Sequence, residues 1–520
     1  MVFSNNLLMG AAGQSTGYEI DQSVRFNDLD SAFLARTPDA SNRKTWTWSA
    51  WVKRANLFNG SVPQILLSAG DGGNNDFVVQ FGQTNDTLRI SDYIGGTASN
   101  LIPTQLFRDV GAWYHLVLAY DTTQGTAANR IKLYLNGSQV TAFGTEVYPS
   151  QNTDMVINSA IPHNIGRGAY SSNGYFSGYM AEINFVDGTA LAPTAFGETN
   201  DDGVWVPIAY AGAYGTEGYL IDGRDSSDLG DDESGNGNDY ASSGLTAADQ
   251  MPDTPTLNHW TLNPLDSGST LANGNLQNKG GSSTNTHAPA FPKTGKWYVE
   301  IDCIDINTGT GGAHFFAICD ASIPYSANFA THAATSAGQE RGGQLQKNNS
   351  NTSSGTAVND GDVIALAFDA DNLTLDLYVN NSASGSQITG LTDVQYKLWV
   401  QDGGTVTNMQ FNFAEASLEY TPPSGYNALN TSNLATPTIK DGSEYFQTAL
   451  YTGRTTAFDV TFDGNSDLAP DWLWFKARSA SSNHFLFDKI RGALKTISSD
   501  DATPEESSTG SMTAFGTDGF

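Results

Sequence analysis

Three acids fall close together in the stretch VEIDCID: Glu300, Asp302 and Asp305. A pair of carboxylates is what a retaining glycoside hydrolase needs, one as nucleophile and one as acid/base. If the stretch is a strand, Glu300 and Asp302 share a face about 7 Å apart. Asp305 then falls on the opposite face unless a bulge intervenes. The hydrophobic-in, polar-out alternation of an ordinary antiparallel strand produces the same acids without any chemistry. We adopt that plainer reading: no catalytic residue is assigned, and the chain is expected not to be an enzyme.

Other groups with chemical capacity are weighed in the same way. Asp228, Asp231, Asp232, Asn236, Asn238 and Asp239 offer the oxygen ligands that suit Ca2+. Their spacing is not that of an EF-hand loop, and Asp/Asn/Gly runs commonly close turns. The turn reading is adopted for this loop and no metal ligand is assigned, with Ca2+ as the alternative. The seven histidines (His115, His163, His259, His287, His314, His332 and His484) are scattered, with no metal-binding pair and no Ser/His/Asp set by spacing. His115, in WYH, reads as a packed residue. Cys303 and Cys319 form no CxxC, which argues against zinc. Two free buried thiols are expected, and a disulfide would require their strands to pair. Trp51, Tyr170 and Tyr175 are the candidates for stacking on a ligand, although sandwich aromatics mostly fill cores.

The elements that must position these groups read as β throughout. In SNRKTWTWSAWVKR (residues 41–54), period 2 puts Trp46, Trp48, Ala50 and Val52 on one face and Thr45, Thr47, Ser49, Trp51 and Lys53 on the other. The first face belongs to a core, leaving only Trp51 of the three tryptophans for outside contact. WYHLVLAYD (113–121) and NRIKLYLNGSQVTAF (129–143) follow, with Asn136-Gly137 as a hairpin turn. GKWYVEIDCIDI, VIALAFDADNLTLDLYVN and YKLWVQ repeat the strand pattern farther on. The fold class is therefore all-β: tandem antiparallel β-sandwiches followed by a partial third β-rich unit.

Composition bounds the partners. The 520 residues carry a net charge of −30, with 54 glycines and 15% charged residues. Such acidity repels nucleic acid and anionic membrane surfaces. No run of 18 apolar residues is present to insert into a membrane. The N-terminal residues MVFSNNLLMGAAGQSTGYEID have neither a basic start nor a long apolar centre, so they do not read as a secretory signal. Residues 1–17 read instead as a small, polar docking tail.

The motifs WYHLVLAYD, LYLNG, NIGRG and FSGYMAEINFVDGTALAP, in that order, resemble the laminin-G-like or concanavalin A-like jelly roll. FNDLDSAFLART followed by TWTWSAWVKR resembles the version found in tailed-phage virion appendages, especially tail fibres. GKWYVEIDCIDI, GDVIALAFD and LDLYVN resemble the SPRY family. A laminarinase-type hydrolase shares the jelly roll, but Glu300 and Asp302 lie in the SPRY-like part. The organisation expected is a tail (1–17), a jelly roll (18–198), a Gly/Asp/Asn-rich connector (199–256), a SPRY-like sandwich (257–423), a linker (424–440) and a third unit (441–520), expected to be incomplete. The resemblance implies a virion structural and adhesion protein that is docked by its tail, is homotrimeric, and binds a host-surface glycan or protein receptor. A capsid-decorating or head-fibre protein is the alternative, and a glycan depolymerase follows behind. No cofactor is implied.

Overall fold

The structure is a computed structural model. It describes residues 17–520 apart from 58–59, 61, 83–84, 171–172, 281–283, 307–313, 404–406, 436 and 508–511. Most of the expected N-terminal tail thus lies outside the described residues.

The strand Thr45–Arg54 sits at the centre of the first sandwich. It pairs antiparallel with Trp113–Asp121 on one side and Gly178–Asp187 on the other. The sheet continues through Ile131–Leu135 and Ser138–Gln139 at one end, and through Ser23–Phe26 and Gln250–Met251 at the other. The Asn136-Gly137 hairpin forms as expected, with positive φ at both residues (46° and 80°). A second sheet runs Phe143–Val147, Thr97–Pro103, Leu88–Ile94, Asn75–Phe81, Gln64–Gly70, His163–Ile165, Phe33–Arg36, Ala241–Ser243. Trp46, Trp48, Ala50 and Val52 all point into the core between the sheets. Trp46 stacks on Tyr120 at 4.1 Å and meets the Phe77 ring edge-on at 5.8 Å.

Segment 199–256 is not a plain connector. Tyr219–Ile221 pairs with Gly178–Asp187, Ala241–Ser243 with Phe33–Arg36, and Gln250–Met251 with Ser23–Phe26. These strands are two or three residues long, too short to show a period in sequence, yet Tyr219, Ile221, Leu229 and Tyr240 complete the core.

The second sandwich has one sheet ordered Thr270–Ala272, Gln277–Lys279, Asn408–Asn412, Lys296–Asp305, Val363–Asp369, Thr374–Val379, Ser382–Ala383. Its other sheet runs Asn285–Ala290, Tyr396–Gln401, Phe315–Asp320, Ser336–Glu340, Gln344–Lys347, Ser350–Ser354. The start of the expected linker belongs here as well. Leu429 is buried in this core, and its carbonyl accepts from Trp260 N at 3.1 Å. Cys303 and Cys319 lie on strands of opposite sheets, both as free buried thiols.

The chain divides into two compact units. One comprises both sandwiches, through residue 434, and the other comprises 199–205 with 435–520. The smaller unit holds a four-stranded sheet, Trp472–Phe475, Phe485–Asp488, Lys495–Ser498 and Glu506–Ser507. Leu473, Phe487 and Met512 form its small core.

Candidate functional site

The outer face of the Thr45–Arg54 strand is buried as thoroughly as its inner face. At one end, Thr47 Oγ1 donates to Thr189 O at 2.7 Å and accepts from Leu191 N at 2.8 Å. The return segment after Asp187 packs over this face through Leu191, Phe196, Tyr210 and Tyr214. At the other end, Lys53 Nζ donates to Asp253 Oδ2 (2.7 Å), Asn258 Oδ1 (2.7 Å) and His259 O (2.9 Å). All three ammonium donors are thereby used. Trp113 Nε1 donates to the other oxygen of Asp253 at 3.1 Å. Tyr179 OH reaches Gly274 O, and Asn275 Nδ2 reaches Ala55 O, each at 2.8 Å. The two sandwiches meet across this polar seam.

Trp51 lies between these two covers along the strand. It is 1% exposed and stacks on His115 at 4.6 Å. Its assignment to outside contact is corrected: the polar face that seemed to open to solvent is covered by chain arriving more than a hundred residues later. His115 is packed, as expected, with Nε2 2.9 Å from Ser49 Oγ.

Tyr170 and Tyr175 fare differently. Tyr170 is 55% exposed, and its Cβ stands 3.2 Å from where a side chain on Gly70 would begin. Tyr175 is half-buried, 6.3 Å from the Phe33 ring. The Arg167 guanidinium lies 3.5 Å over Phe33 and 5.9 Å from Tyr175. This aromatic and cationic cluster is a surface on which a ring or a polar ligand could rest. Sequence reading missed Phe33 and Arg167, because Phe33 pairs into the sheet far from the 166–175 loop in sequence.

Glu300 and Asp302 do not converge on a cleft. Glu300 is buried and accepts from Tyr298 OH (2.8 Å), Glu419 N (2.6 Å) and Tyr420 N (3.1 Å). It brackets the segment that closes the sandwich. Asp302 accepts from Asn412 Nδ2 at 3.0 Å, and a register shift precedes Asp305. Burial raises both the Glu300 and Asp302 carboxyls above their ordinary range.

The acidic loop is closed by its own backbone. Asp232 accepts from Leu220 N, Ser234 N and Asn238 N, and Asp239 accepts from Asp232 N. Asp228 accepts from Gly230 N. Among the described residues, no three His, Cys, Asp or Glu side chains are gathered as a metal would need. Backbone N–H groups of the loop and of Leu220 thus take the carboxylate oxygens, as an Asp/Asn/Gly turn does.

A cluster the spacing did not disclose lies in the second sandwich. His287 Nδ1 is 2.8 Å from Asp266 Oδ2, and His287 Nε2 is 3.1 Å from His332 Nε2. Lys397 Nζ is 2.5 Å from the same Asp266 oxygen, and Trp399 stacks on His332 at 4.8 Å. Burial lowers both imidazoles, His332 to about 4. Lys397 and His287 hold the Asp266 carboxyl well below the usual range, against its partial burial. The group is a buried structural bridge between sheets and loops, closed to substrate. Small, partly open hollows beside Arg36 and His163, and beside His259 and Trp260, measure about 10 Å³ each, room for one water. Neither can hold a small-molecule ligand.

Residues 28–194 match the concanavalin A-like lectin/glucanases superfamily (Laminin_G_3). Residues 441–520 match a domain of unknown function, DUF7483. No curated protein sequence matches the chain. Among solved structures, the SPRY domain of human HERC1 is similar at 13% identity and TM-score 0.25, covering 29% of this chain and 96% of that one. The TRIM65 PSpry domain is similar at 12% and 0.24, covering 30% and 93%. A heptameric SAP-like pentraxin from Limulus polyphemus is similar at 16% and 0.25, covering 34% and 80%.

Proposed function

We propose that this protein is a structural and adhesion protein of a phage virion, a tail fibre or similar appendage. Its N-terminal residues 1–17 dock it on other virion proteins, and its β-sandwiches meet a host-surface glycan or protein. The observation that carries the adhesion reading is the first sandwich. It matches a lectin and glucanase superfamily over residues 28–194, and the loop after its strand His163–Ile165 turns Tyr170 outward and lays Arg167 over the Phe33 ring. The virion reading is supported by the resemblance of FNDLDSAFLART and TWTWSAWVKR to tail-fibre sequences. Assembly in the host cytoplasm, display on the particle surface and a homotrimeric state belong to the same proposal. Glu300, bound to backbone amides, serves the fold rather than hydrolysis.

Immuno-electron microscopy of particles tests the location. Label on the tail is the expected result. Label on the head replaces the fibre reading with a capsid-decorating one, and unlabelled particles overturn both. Adsorption of purified protein to host cells tests the adhesion part, with R167A and Y170A expected to weaken it at least tenfold.

A further inference from the structure

Lys53, Asp253 and Asn258 bring an amine, a carboxylate and an amide together where the two sandwiches meet. Lys53 Nζ lies 2.7 Å from Asp253 Oδ2 and 2.7 Å from Asn258 Oδ1. All three residues are at most 3% exposed. The Asn258 carbonyl carbon is one C=O bond beyond its oxygen, which puts it about 3–4 Å from Nζ, close to a near-attack contact.

Each partner is held in place by a further contact. Asn258 Nδ2 donates to Gly111 O at 2.8 Å, which turns Oδ1 toward the lysine. Asn258 N donates to Thr431 Oγ1 at 3.1 Å. Asp253 Oδ1 accepts from Trp113 Nε1 at 3.1 Å and His259 N at 3.3 Å, so Oδ2 stays turned to the amine. The Tyr179 ring lies 5.8 Å from Nζ and helps to wall off water. In so dry a site, moving one proton from ammonium to carboxylate removes two buried charges at once. The neutral amine it leaves is a nucleophile, which the ammonium is not. The hollow beside His259 and Trp260 is also lined by Gly111, and it has room for one molecule the size of water or ammonia.

We propose that the protein joins Lys53 to Asn258 by an isopeptide bond, with Asp253 as proton carrier. Lys53 gives one proton to Asp253 Oδ2, and its nitrogen attacks the Asn258 carbonyl carbon to form the new C–N bond. The old bond to Nδ2 breaks, its electron pair going to Nδ2. Nδ2 takes the second proton of the attacking nitrogen and the proton held by Asp253, and leaves as ammonium. Asp253 returns to its carboxylate. The one N–H left on the new amide keeps His259 O as its acceptor, 2.9 Å from Nζ in the ion-paired state. Asn258 rather than Asp253 is the electrophile, because a carboxylate repels an attacking electron pair. The bond ties the central strand of the first sandwich to the start of the second, across 205 residues of sequence. Unreacted chain keeps the ion pair and remains the reference for the noncovalent strength of the seam. The proposal does not depend on the virion reading.

Intact-mass measurement of the full chain under denaturing conditions tests it. The mass is expected to fall below that of the sequence by one ammonia. Tryptic digestion should give a branched peptide that contains both Lys53 and Asn258, with no cleavage after Lys53. K53R, which keeps a cation but removes the amine, and N258A should both show the full sequence mass. D253N should slow bond formation about a hundredfold or more, with a cooperative urea transition showing that it still folds. Wild-type chain that keeps its full sequence mass after folding and prolonged incubation overturns the proposal, whatever the variants do. So does loss of ammonia with Lys53 still cleaved by trypsin, which would place a succinimide at Asn258. Loss of water with Lys53 joined to Asp253 overturns the assigned pair, and an unchanged rate in D253N overturns the part given to Asp253.

Discussion

Lys53 and Asp253 form an ion pair of 2.7 Å from which water is nearly excluded, their side chains being 0% and 5% exposed. Asp253 also takes the Trp113 indole N–H, and Lys53 also holds Asn258 and His259. The pair is thus the centre of a network in which every member answers another. Removing one partner of such a pair leaves a buried charge uncompensated, at a cost of about 3–5 kcal/mol.

K53M is therefore expected to lower the stability of the two-sandwich unit by that amount, measured by urea unfolding. K53M/D253L should recover a substantial part of the loss. A double variant no more stable than K53M would show that the carboxylate is not what makes the single change costly.

Much of the first sandwich was legible from period 2 alone, as Trp46 and Trp48 show. Trp51 was not, because its cover comes from residues remote in sequence and a strand does not announce what lands on its outer face. The 199–256 segment was misread for a related reason: strands of two or three residues carry no periodicity, so only the sheet they join reveals them. His287 and His332 are 45 residues apart, and a strand-to-helix contact rather than a spacing motif brings them together. Tyr170 and Tyr175 were legible as candidate aromatics, but the Phe33 and Arg167 that gather at Tyr175 required the topology.

E300Q tests whether Glu300 is a bracket or a catalyst. A glutamine amide would turn a donor toward donors, so one of the Glu419 and Tyr420 amides loses its acceptor, at a cost of about 1–3 kcal/mol. Amide hydrogen exchange at Glu419 and Tyr420 should quicken. Reducing ends released from host glycans should not differ from wild type. Loss of a cleaving activity at unchanged stability would restore the hydrolase reading.

The pH response combines opposing contributions from buried groups. Burial pushes His115 down to about 3 and His163 to about 4. The unfolded chain protonates these rings near 6.5, so stability is full above that pH and falls as the pH drops toward the folded values. Asp92 acts in the opposite sense. Burial raises it to about 6, so its ionisation costs the native state about 3 kcal/mol above pH 6 and nothing below about pH 4. D92N removes that ionisation cost but turns an amide N–H toward Tyr120, Ser99 or Val156, so its urea midpoint relative to wild type is expected to be higher at pH 7 than at pH 4. An equal gain at both pH values would detach Asp92 from the effect.

The His287–His332 pair should reveal its proton count by nitrogen NMR. His332 Nδ1 faces Asn328 O at 3.1 Å, so it carries a proton, and the neutral ring accepts at Nε2. His287 must then donate from Nε2, which leaves its neutral Nδ1 bare toward Asp266. Three contacts call for three protons, and two neutral rings hold two. On acidification His287 is expected to take the third below the ordinary imidazole range, with burial and Lys397 opposing the uptake and Asp266 favouring it. His332 found in the Nε2–H form at neutral pH would break this account.

The edge strand Gln250–Met251 has a consequence in time. Ser23 Oγ donates to Asp253 O across 230 residues of sequence. During synthesis the first sheet therefore waits for its last strand while an entire sandwich's worth of chain emerges. At roughly 5–20 residues per second that is on the order of 10–45 s. Through that interval the strand Ser23–Phe26 has an open edge, and the outer face of Thr45–Arg54 lacks the seam that covers Lys53. The nascent protein thus spends its most aggregation-prone period on the ribosome, and its yield should depend on the chaperones that meet it there more than on the stability of the finished fold.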